Sequence, residues 1–117
     1  MQERRKDIRY HTLGRARIPE VFEGDLLLKD LSITGCRIQC AEPLAIQLNV
    51  QYRIQIIPEP VVKTGTFELL VKSRWIHAGE HSYEAAFMVM ESPKGKQFQW
   101  YVDYLTWRSN PVPDTEV

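Results

Sequence analysis

The chain has 117 residues, with 15 basic and 15 acidic side chains that give a formal net charge of +0 at pH 7. That length is typical of one domain with its own core, and a composition of 44% hydrophobic and 26% charged residues is typical of a globular protein. The charge balance argues against a general nucleic-acid-binding protein, and no apolar run is long enough for membrane insertion. Since no apolar stretch follows the basic N-terminal residues, a secretory signal is excluded and a cytoplasmic location is expected.

The first ten residues are predicted to form a flexible basic arm. The segment ERRKDIRY carries Arg4, Arg5, Lys6 and Arg9 but has little apolar surface with which to order itself. The first seventeen residues hold six basic and two acidic side chains, a local excess of four positive charges in a neutral chain. This distribution predicts a local attraction for an anion.

The body of the chain, residues 11–108, is predicted to be one domain of short strands closed by a helix. Alternating or β-rich segments separated by turn residues are, in order, TLGRARI, DLLLKDLSI, GCRIQC, QYRIQII, TFELLVKSRWIH and SYEAAFMVM. Six such strands indicate a small antiparallel barrel or sandwich rather than alternating strands and helices. Residues 109–117 are predicted to be a loose tail.

A helix is predicted from Pro93 to Arg108, with Ser92 as its N-cap and proline at the first helical position. Four apolar residues then follow at positions i, i+3, i+4 and i+7, which predicts one buried stripe covering an opening or edge of the barrel; they are Phe98, Tyr101, Val102 and Leu105. The three tryptophans are expected to serve barrel and helix packing; they are Trp75, Trp100 and Trp107.

Neither the cysteines nor the histidines indicate a catalytic or metal site. Cys36 and Cys40 lie four apart in one predicted strand, about 13 Å from each other, which is too far for a disulfide. His77 and His81 near a predicted turn lack the further ligands that a zinc site needs. No nucleophile elbow, phosphate loop or metalloprotease motif occurs, so the protein is predicted not to be an enzyme and to need no cofactor.

Two short motifs carry the functional prediction. One is Arg5-x-x-x-Arg9 in the arm, and the other is Asp30-x-Ser32-x-x-Gly35, which begins in the second predicted strand and ends at the start of the third. Taken alone, the second motif is also what a strand end needs, because Asp and Ser can satisfy turn backbone groups and Gly tolerates a tight turn. The two motifs in this order, followed by the remaining strands and a closing helix, resemble the PilZ domain, a bacterial receptor module for cyclic di-GMP.

The resemblance implies a six-stranded antiparallel PilZ-type barrel packed by one helix, and a bound cyclic di-GMP held between arm and barrel. Arg5 and Arg9 would clasp the ligand, since an arginine fork can bind guanine O6 and N7 or a phosphate. Asp30 would accept from the guanine donor edge, with Ser32 beside it and Gly35 permitting close approach. An arginine at position 4 resembles the family version that takes a stacked pair of ligand molecules. The output would be a conformational change seen by a protein partner that the sequence does not name.

One stretch departs from the family pattern, and two other functions stay open. In YEAAFMV, Ala86 stands where family members often carry glycine and Val89 where they carry an aromatic residue. Ala86 favours a PilZ-like interaction module that no longer binds ligand, whereas the intact residues of the two motifs argue against it. A small barrel that binds single-stranded nucleic acid through its basic arm is the other alternative. The receptor interpretation predicts that Arg9→Ala or Asp30→Ala abolishes binding with little effect on folding.

Overall fold

The computed structural model of the protein describes residues 8–93 and 95–108. Arg4 and Arg5, with most of the predicted arm, and the predicted tail at 109–117 lie outside the described residues. The described chain forms seven strands and one helix: β1 (Tyr10–His11), β2 (Arg15–Arg17), β3 (Leu26–Leu31), β4 (Gly35–Cys40), β5 (Gln51–Ile57), β6 (Phe67–Ala78), β7 (Tyr83–Glu91) and α1 (Gln97–Arg108).

The strands form one antiparallel sheet that closes on itself. Their order is β1-β3-β2-β5-β6-β7-β4, and β4 also pairs with β3 to close the ring. Six strands therefore make a barrel, and β1 adds a short seventh strand along the edge of β3. The predicted six-stranded antiparallel barrel with a C-terminal helix is confirmed.

The first predicted strand, TLGRARI, is shorter in the structure. Only Arg15–Arg17 form β2, while β1 lies just before the predicted segment and pairs Tyr10 with Leu31. The break follows from Thr12, whose hydroxyl donates to Leu28 O and accepts from the backbone N–H of Gly14. The last residue assigned to the arm, Tyr10, is thus already part of the sheet.

The period-2 pattern of β5 shows how the core is built. Tyr52, Ile54 and Ile56 are buried, whereas Gln51 and Arg53 between and before them are exposed. Each large apolar side chain that leaves water in this way stabilises the fold by about 1.5–3 kcal/mol. The alternation therefore selects which face of each strand closes around the barrel interior.

Helix α1 packs on the barrel with the predicted stripe. Its buried residues are Phe98, Tyr101, Val102 and Leu105. The predicted start at Pro93 with Ser92 as N-cap is wrong, because the helix begins at Gln97. Strand β7 continues to Glu91, so the chain needs several residues to change direction, and Gly95 in that connection has a low helix propensity.

The tryptophans of α1 do not pack into the core. Trp100 is 54% exposed and Trp107 is 79% exposed, so the expectation that both serve packing is wrong. They lie off the buried stripe, on the side of the helix that the barrel leaves to solvent. Trp75 on β6 is half-buried and stacks on His77, with ring centroids 5.9 Å apart.

Three further observations concern the thiols, metal sites and membrane-spanning helices. Cys36 is buried and Cys40 is half-buried, and both are free thiols. Within residues 8–93 and 95–108, the acidic, histidine and cysteine side chains form no group of three or more that could hold a metal ion. No helix in the same ranges is both long and apolar enough to cross a bilayer.

A candidate ligand site around Asp30

The site is built on an irregularity in β3. The β3–β4 pairing matches Leu28 with Ile38 and then Asp30 with Arg37, so Lys29 is an extra residue on the β3 side. Such a bulge bends the strand and changes the direction of the side chains beside it. Asp30 is as a result fully buried, at 0% exposure, although Leu28 and Leu31 on either side of it belong to the apolar core.

Two arginines approach the Asp30 carboxylate from different parts of the chain. Arg37 on β4 donates from Nε to Asp30 Oδ2 at 2.8 Å, and its side chain is 4% exposed. Arg9, from the predicted arm, places Nη1 at 3.9 Å from Asp30 Oδ1, with its side chain 26% exposed. The structure thus brings one residue of each sequence motif together, with Arg37 as a buried third member.

The charged cluster extends from Arg37 to β7. Arg37 Nη1 lies 3.6 Å from Glu84 Oε1, and Lys29 Nζ lies 3.3 Å from Glu84 Oε2. The chain of contacts therefore alternates in sign and contains three basic and two acidic side chains. The excess of one positive charge suits an anion.

Ser32 holds the turn between β3 and β4. Its hydroxyl oxygen accepts from the backbone N–H groups of Thr34 and Gly35, both at 3.2 Å, and its own N–H donates to Gly35 O at 2.8 Å. Ser32 is 1% exposed. Of the two roles considered for this hydroxyl, ligand contact or support of the loop, the contacts present are those of support.

Gly35 is required by a close approach of two backbones. A Cβ atom built there would lie 2.6 Å from Phe87 O on β7, well inside van der Waals contact. The positive-φ glycines of the described chain are Gly24 and Gly65, so the reason for glycine at 35 is space beside β7 rather than a special turn conformation.

The residues of the candidate site belong to a row of paired positions that crosses the sheet. His11, Asp30, Arg37, Ala86 and Trp75 are successive partners on β1, β3, β4, β7 and β6. A second bulge, in which Ser73 pairs with Phe87 and Trp75 with Ala86, brings the indole into this row. Ala86, the position that departs from the family pattern, therefore lies between the Arg37 and Trp75 positions.

Sequence reasoning missed the part of the site that comes from β4, β6 and β7. Arg37 follows Asp30 by seven residues and Glu84 follows it by 54, and neither belongs to a motif. A charged residue between the two apolar residues Cys36 and Ile38 was the one available signal that Arg37 lies on the face opposite the core. The predicted ligand contacts of Arg4 and Arg5 concern residues outside the described ranges, and those of Arg9, Asp30, Ser32 and Gly35 stay predictions.

The thiol of Cys36 lies next to the candidate site, and the charges of the site affect its pKa. Burial, and to a lesser extent the negative charge of Asp30, raise the pKa of Cys36 to about 12, while the positive charge of Arg9 acts in the opposite direction. The thiol is therefore protonated at neutral pH and unreactive.

Comparison with known proteins supports the fold. No model of a known protein family matches the chain, and no curated protein matches it in sequence. Among solved structures, the chain is similar to the Bacillus subtilis inhibitor of motility (MotI/DgrA), with a TM-score of 0.72, 20% identity, and coverage of 92% of this chain and 51% of that chain. The chain spans about half the length of that neighbour. The likeness includes the barrel and its helix, and the predicted PilZ-type fold is confirmed.

Proposed function

We propose that this chain is a PilZ-type receptor for cyclic di-GMP that acts on a protein partner and has no catalytic activity of its own. The observation that carries the proposal is the approach of Arg9, from the arginine motif, to Asp30, from the second motif. These residues are 21 positions apart, and nothing in an isolated strand or turn requires the pair to meet. The likeness to MotI/DgrA supports the same function at the level of fold.

The two arginines at Asp30 differ in a way that suits ligand exchange. Arg37 is buried and bonded at 2.8 Å, whereas Arg9 is partly exposed at 3.9 Å. When Arg9 turns from the carboxylate to a guanine edge or phosphate, Arg37 keeps the buried charge of Asp30 compensated. This matters because a buried carboxylate that loses its compensating charge destabilises a fold by several kcal/mol.

The planar forks of Arg5 and Arg9 supply the donors that the ligand needs. Each fork can donate two parallel hydrogen bonds to guanine O6 and N7 or to phosphate oxygens, which lysine cannot do. Arg4 adds positive charge beside them, so a stacked pair of ligand molecules is the stoichiometry that we propose. Trp75, half-buried in the same row of the sheet, offers an aromatic face to a base.

The proposed output is a change in the position of the arm relative to the barrel. The arm leads directly into β1, and His11 O at the end of β1 accepts a hydrogen bond from Arg108 in α1. A ligand that draws the arm towards Asp30 acts on a strand that is joined to the C-terminal helix. A partner protein can then recognise the ligand-bound arrangement of arm and barrel.

Calorimetric titration with cyclic di-GMP tests the proposal. We expect saturable binding with two ligand molecules per chain, and at least a tenfold loss in Arg9→Ala. Arg53→Ala is the matched control, because Arg53 on β5 is 67% exposed, lies 3.4 Å from Glu68 and is outside the row of paired residues that contains Asp30. Absence of heat with the parent protein, at concentrations where its NMR spectrum is that of a folded barrel, would refute the receptor function.

Asp30→Ala cannot test ligand binding alone, because it is expected to lower the stability of the protein as well. The expectation that it leaves folding intact conflicts with the complete burial of Asp30 against Arg37, since its removal takes the closest carboxylate from a buried guanidinium and leaves only Glu84, at 3.6 Å. Two further outcomes identify the alternatives. Salt-sensitive binding to oligonucleotides of any sequence would indicate a single-strand-binding barrel, and recovery of ligand binding only in Ala86→Gly would indicate a module whose ligand site Ala86 has closed.

A further inference from the structure

The bulge in β3 places Lys29 on the same face of the sheet as Asp30. Leu28 and Leu31 are both buried in the core, at 2% and 0% exposure, although residues three apart in a regular strand point to opposite faces. The extra residue of the bulge accounts for this, and it leaves Lys29 and Asp30 together on the face away from the core. Lys29 belongs to neither sequence motif, so its place beside the site follows from the strand register alone.

The contact that holds Lys29 on this face is an ion pair with Glu84 on β7. Lys29 Nζ lies 3.3 Å from Glu84 Oε2, and the two side chains are 27% and 16% exposed. An ion pair that is partly open to water contributes little to stability, so it exchanges readily. Arg37 Nη1 lies 3.6 Å from Glu84 Oε1 and stays there when Lys29 turns away. Lys29 can therefore leave Glu84 without leaving that carboxylate uncompensated.

The position of Lys29 resembles that of Arg9 at the other end of the charged cluster. Arg9 is 26% exposed and Lys29 is 27% exposed, whereas Arg37 between them is 4% exposed. Arg37 bonds Asp30 and approaches Glu84, so its guanidinium is occupied by the protein. The two terminal cations of this cluster are thus the ones that can exchange a carboxylate for a ligand.

The chemistry of lysine selects which part of a cyclic dinucleotide it can bind. An ammonium group donates hydrogen bonds and cannot accept them, so it does not suit the N1–H and N2–H donors of guanine. It is a compact charge that binds phosphate oxygens, whereas bidentate recognition of guanine O6 and N7 favours arginine. His77, which pairs with the Glu84 position from β6, adds no negative charge to this face. The excess of one positive charge in the cluster therefore favours a phosphate.

We propose that Lys29 binds a phosphate of the cyclic dinucleotide and exchanges the Glu84 carboxylate for a phosphate oxygen. Glu84 then competes with the ligand for Lys29 and lowers the affinity of the site. This inference rests on the proposed function. It adds to that function a phosphate-binding residue and a residue that sets affinity, and neither of them belongs to the two motifs.

Calorimetric titration of Lys29→Met and Glu84→Gln with cyclic di-GMP tests the exchange. We expect Lys29→Met to raise the Kd by about five- to twentyfold, because a charge-assisted hydrogen bond to the ligand is lost. Glu84→Gln should lower the Kd by about two- to fivefold, because the competing carboxylate is removed. The fold should tolerate this change, since Asp30 still compensates Arg37 at 2.8 Å.

Lys96→Met is the matched control, with a Kd within about twofold of the parent value. Lys96 is exposed and follows β7, whose end at Glu91 is about 20 Å along the strand from Glu84. If Lys29 only held Glu84 in place, Lys29→Met and Glu84→Gln would weaken binding alike. That result would overturn the inference, as would an unchanged Kd in Lys29→Met.

The salt dependence of binding tests the assignment to a phosphate. Added sodium chloride screens contacts between charges, so the Kd of the parent protein should rise more steeply with salt than that of Lys29→Met. Parallel slopes would show that Lys29 does not meet a charged group of the ligand, and would overturn the inference while the receptor function stands. Absence of binding by the folded parent protein would instead refute the receptor function, and this inference with it.

Discussion

Two buried carboxylates lie on either side of β1, and each is bound by an arginine. Asp30 pairs across the sheet with His11 and is bonded to Arg37. Glu59, in the connection after β5, is 3% exposed and is bonded to Arg108, which also donates to His11 O. The two centres therefore use the same chemistry within a few residues of the same short strand.

The difference between them lies in where the donors come from. Glu59 accepts from the N–H of Leu13 at 3.0 Å, from the hydroxyl of Tyr101 at 3.2 Å and from Arg108 at 2.8 Å. All three belong to the barrel and its helix. At Asp30, one arginine is internal and the other is Arg9, a partly exposed residue of the arm. Equivalent buried charges thus fasten the helix at one centre and hold a partly exposed arginine of the arm at the other.

Arg37→Met is expected to cause the largest loss of stability, because it leaves the buried Asp30 carboxylate without its closest guanidinium. We expect the free energy of unfolding to fall by about 3–5 kcal/mol, measured by urea denaturation. Arg53→Met, which removes an arginine that is 67% exposed, should change it by less than about 0.5 kcal/mol. A loss below 1 kcal/mol for Arg37→Met would show that Arg9 alone compensates Asp30.

Glu59→Ala is expected to have the next largest effect. The substitution removes the acceptor of three hydrogen bonds, but Arg108 is 25% exposed and can regain water. We therefore expect a loss of about 2–4 kcal/mol in the free energy of unfolding. Glu68→Ala is the control, since Glu68 is 48% exposed. Equal urea midpoints for the two variants would contradict a fastening role for Glu59.

Gly35→Ala tests the close approach of β4 and β7 at the Asp30 centre. The added methyl group would meet Phe87 O at 2.6 Å, so the strands must separate, at a cost of about 1–3 kcal/mol. Gly95→Ala is the matched control, because a methyl group there meets only the flexible Gln97 side chain at 3.3 Å. Thermal unfolding should separate the two variants, and equal Tm values would show that β7 adapts freely.

Alkaline pH should lower the free energy of unfolding through one group beside each centre, first Cys36 beside Asp30 and then Tyr101 beside Glu59. The pKa of Cys36 is raised to about 12 in the folded protein, and the unfolded thiol titrates near pH 8.5, so the unfolded state loses its proton first. Stability is complete below about pH 8.5 and should fall by about 1.4 kcal/mol per pH unit above it, up to about pH 12. Burial also raises the pKa of Tyr101, which adds a second loss above about pH 10.

The variant Cys36→Ala separates these contributions. Urea titrations between pH 8 and 10 should give a nearly constant free energy of unfolding for Cys36→Ala and a declining one for the parent protein. Above about pH 10, where Tyr101 begins to titrate in the unfolded state, both proteins should lose stability, and the parent should keep the steeper slope up to about pH 12. Identical slopes for both proteins from pH 8 upward would contradict the assignment to Cys36.

Arg9→Ala is expected to have the smallest effect on stability. Arg9 is partly exposed and lies 3.9 Å from Asp30, while Arg37 stays in place, so the free energy of unfolding should fall by less than about 1 kcal/mol. The same variant is expected to lose ligand binding. The substitution with the smallest effect on stability is therefore expected to have a large effect on binding. A stability loss as large as that of Arg37→Met would remove the distinction between an internal and an exchangeable arginine.

The sequence by itself determined the elements whose signals are periodic. The alternation in QYRIQII predicted β5 at Gln51–Ile57, and the 3.6-residue spacing from Phe98 to Leu105 predicted the buried stripe of α1. Both signals arise because local geometry decides which side chains share a face. The two motifs likewise indicated the fold and one residue pair, Arg9 and Asp30, that the structure brings together.

Only the tertiary structure decided which charges meet and which aromatic residues stay outside. Arg37 binds Asp30 because Lys29 forms a bulge, and Glu59 binds Arg108 across 49 residues of chain. The exposure of Trp107 depends on which side of α1 the barrel covers. None of these has a local signal, because strand register and helix docking are set by the summed packing of distant segments rather than by neighbours in sequence.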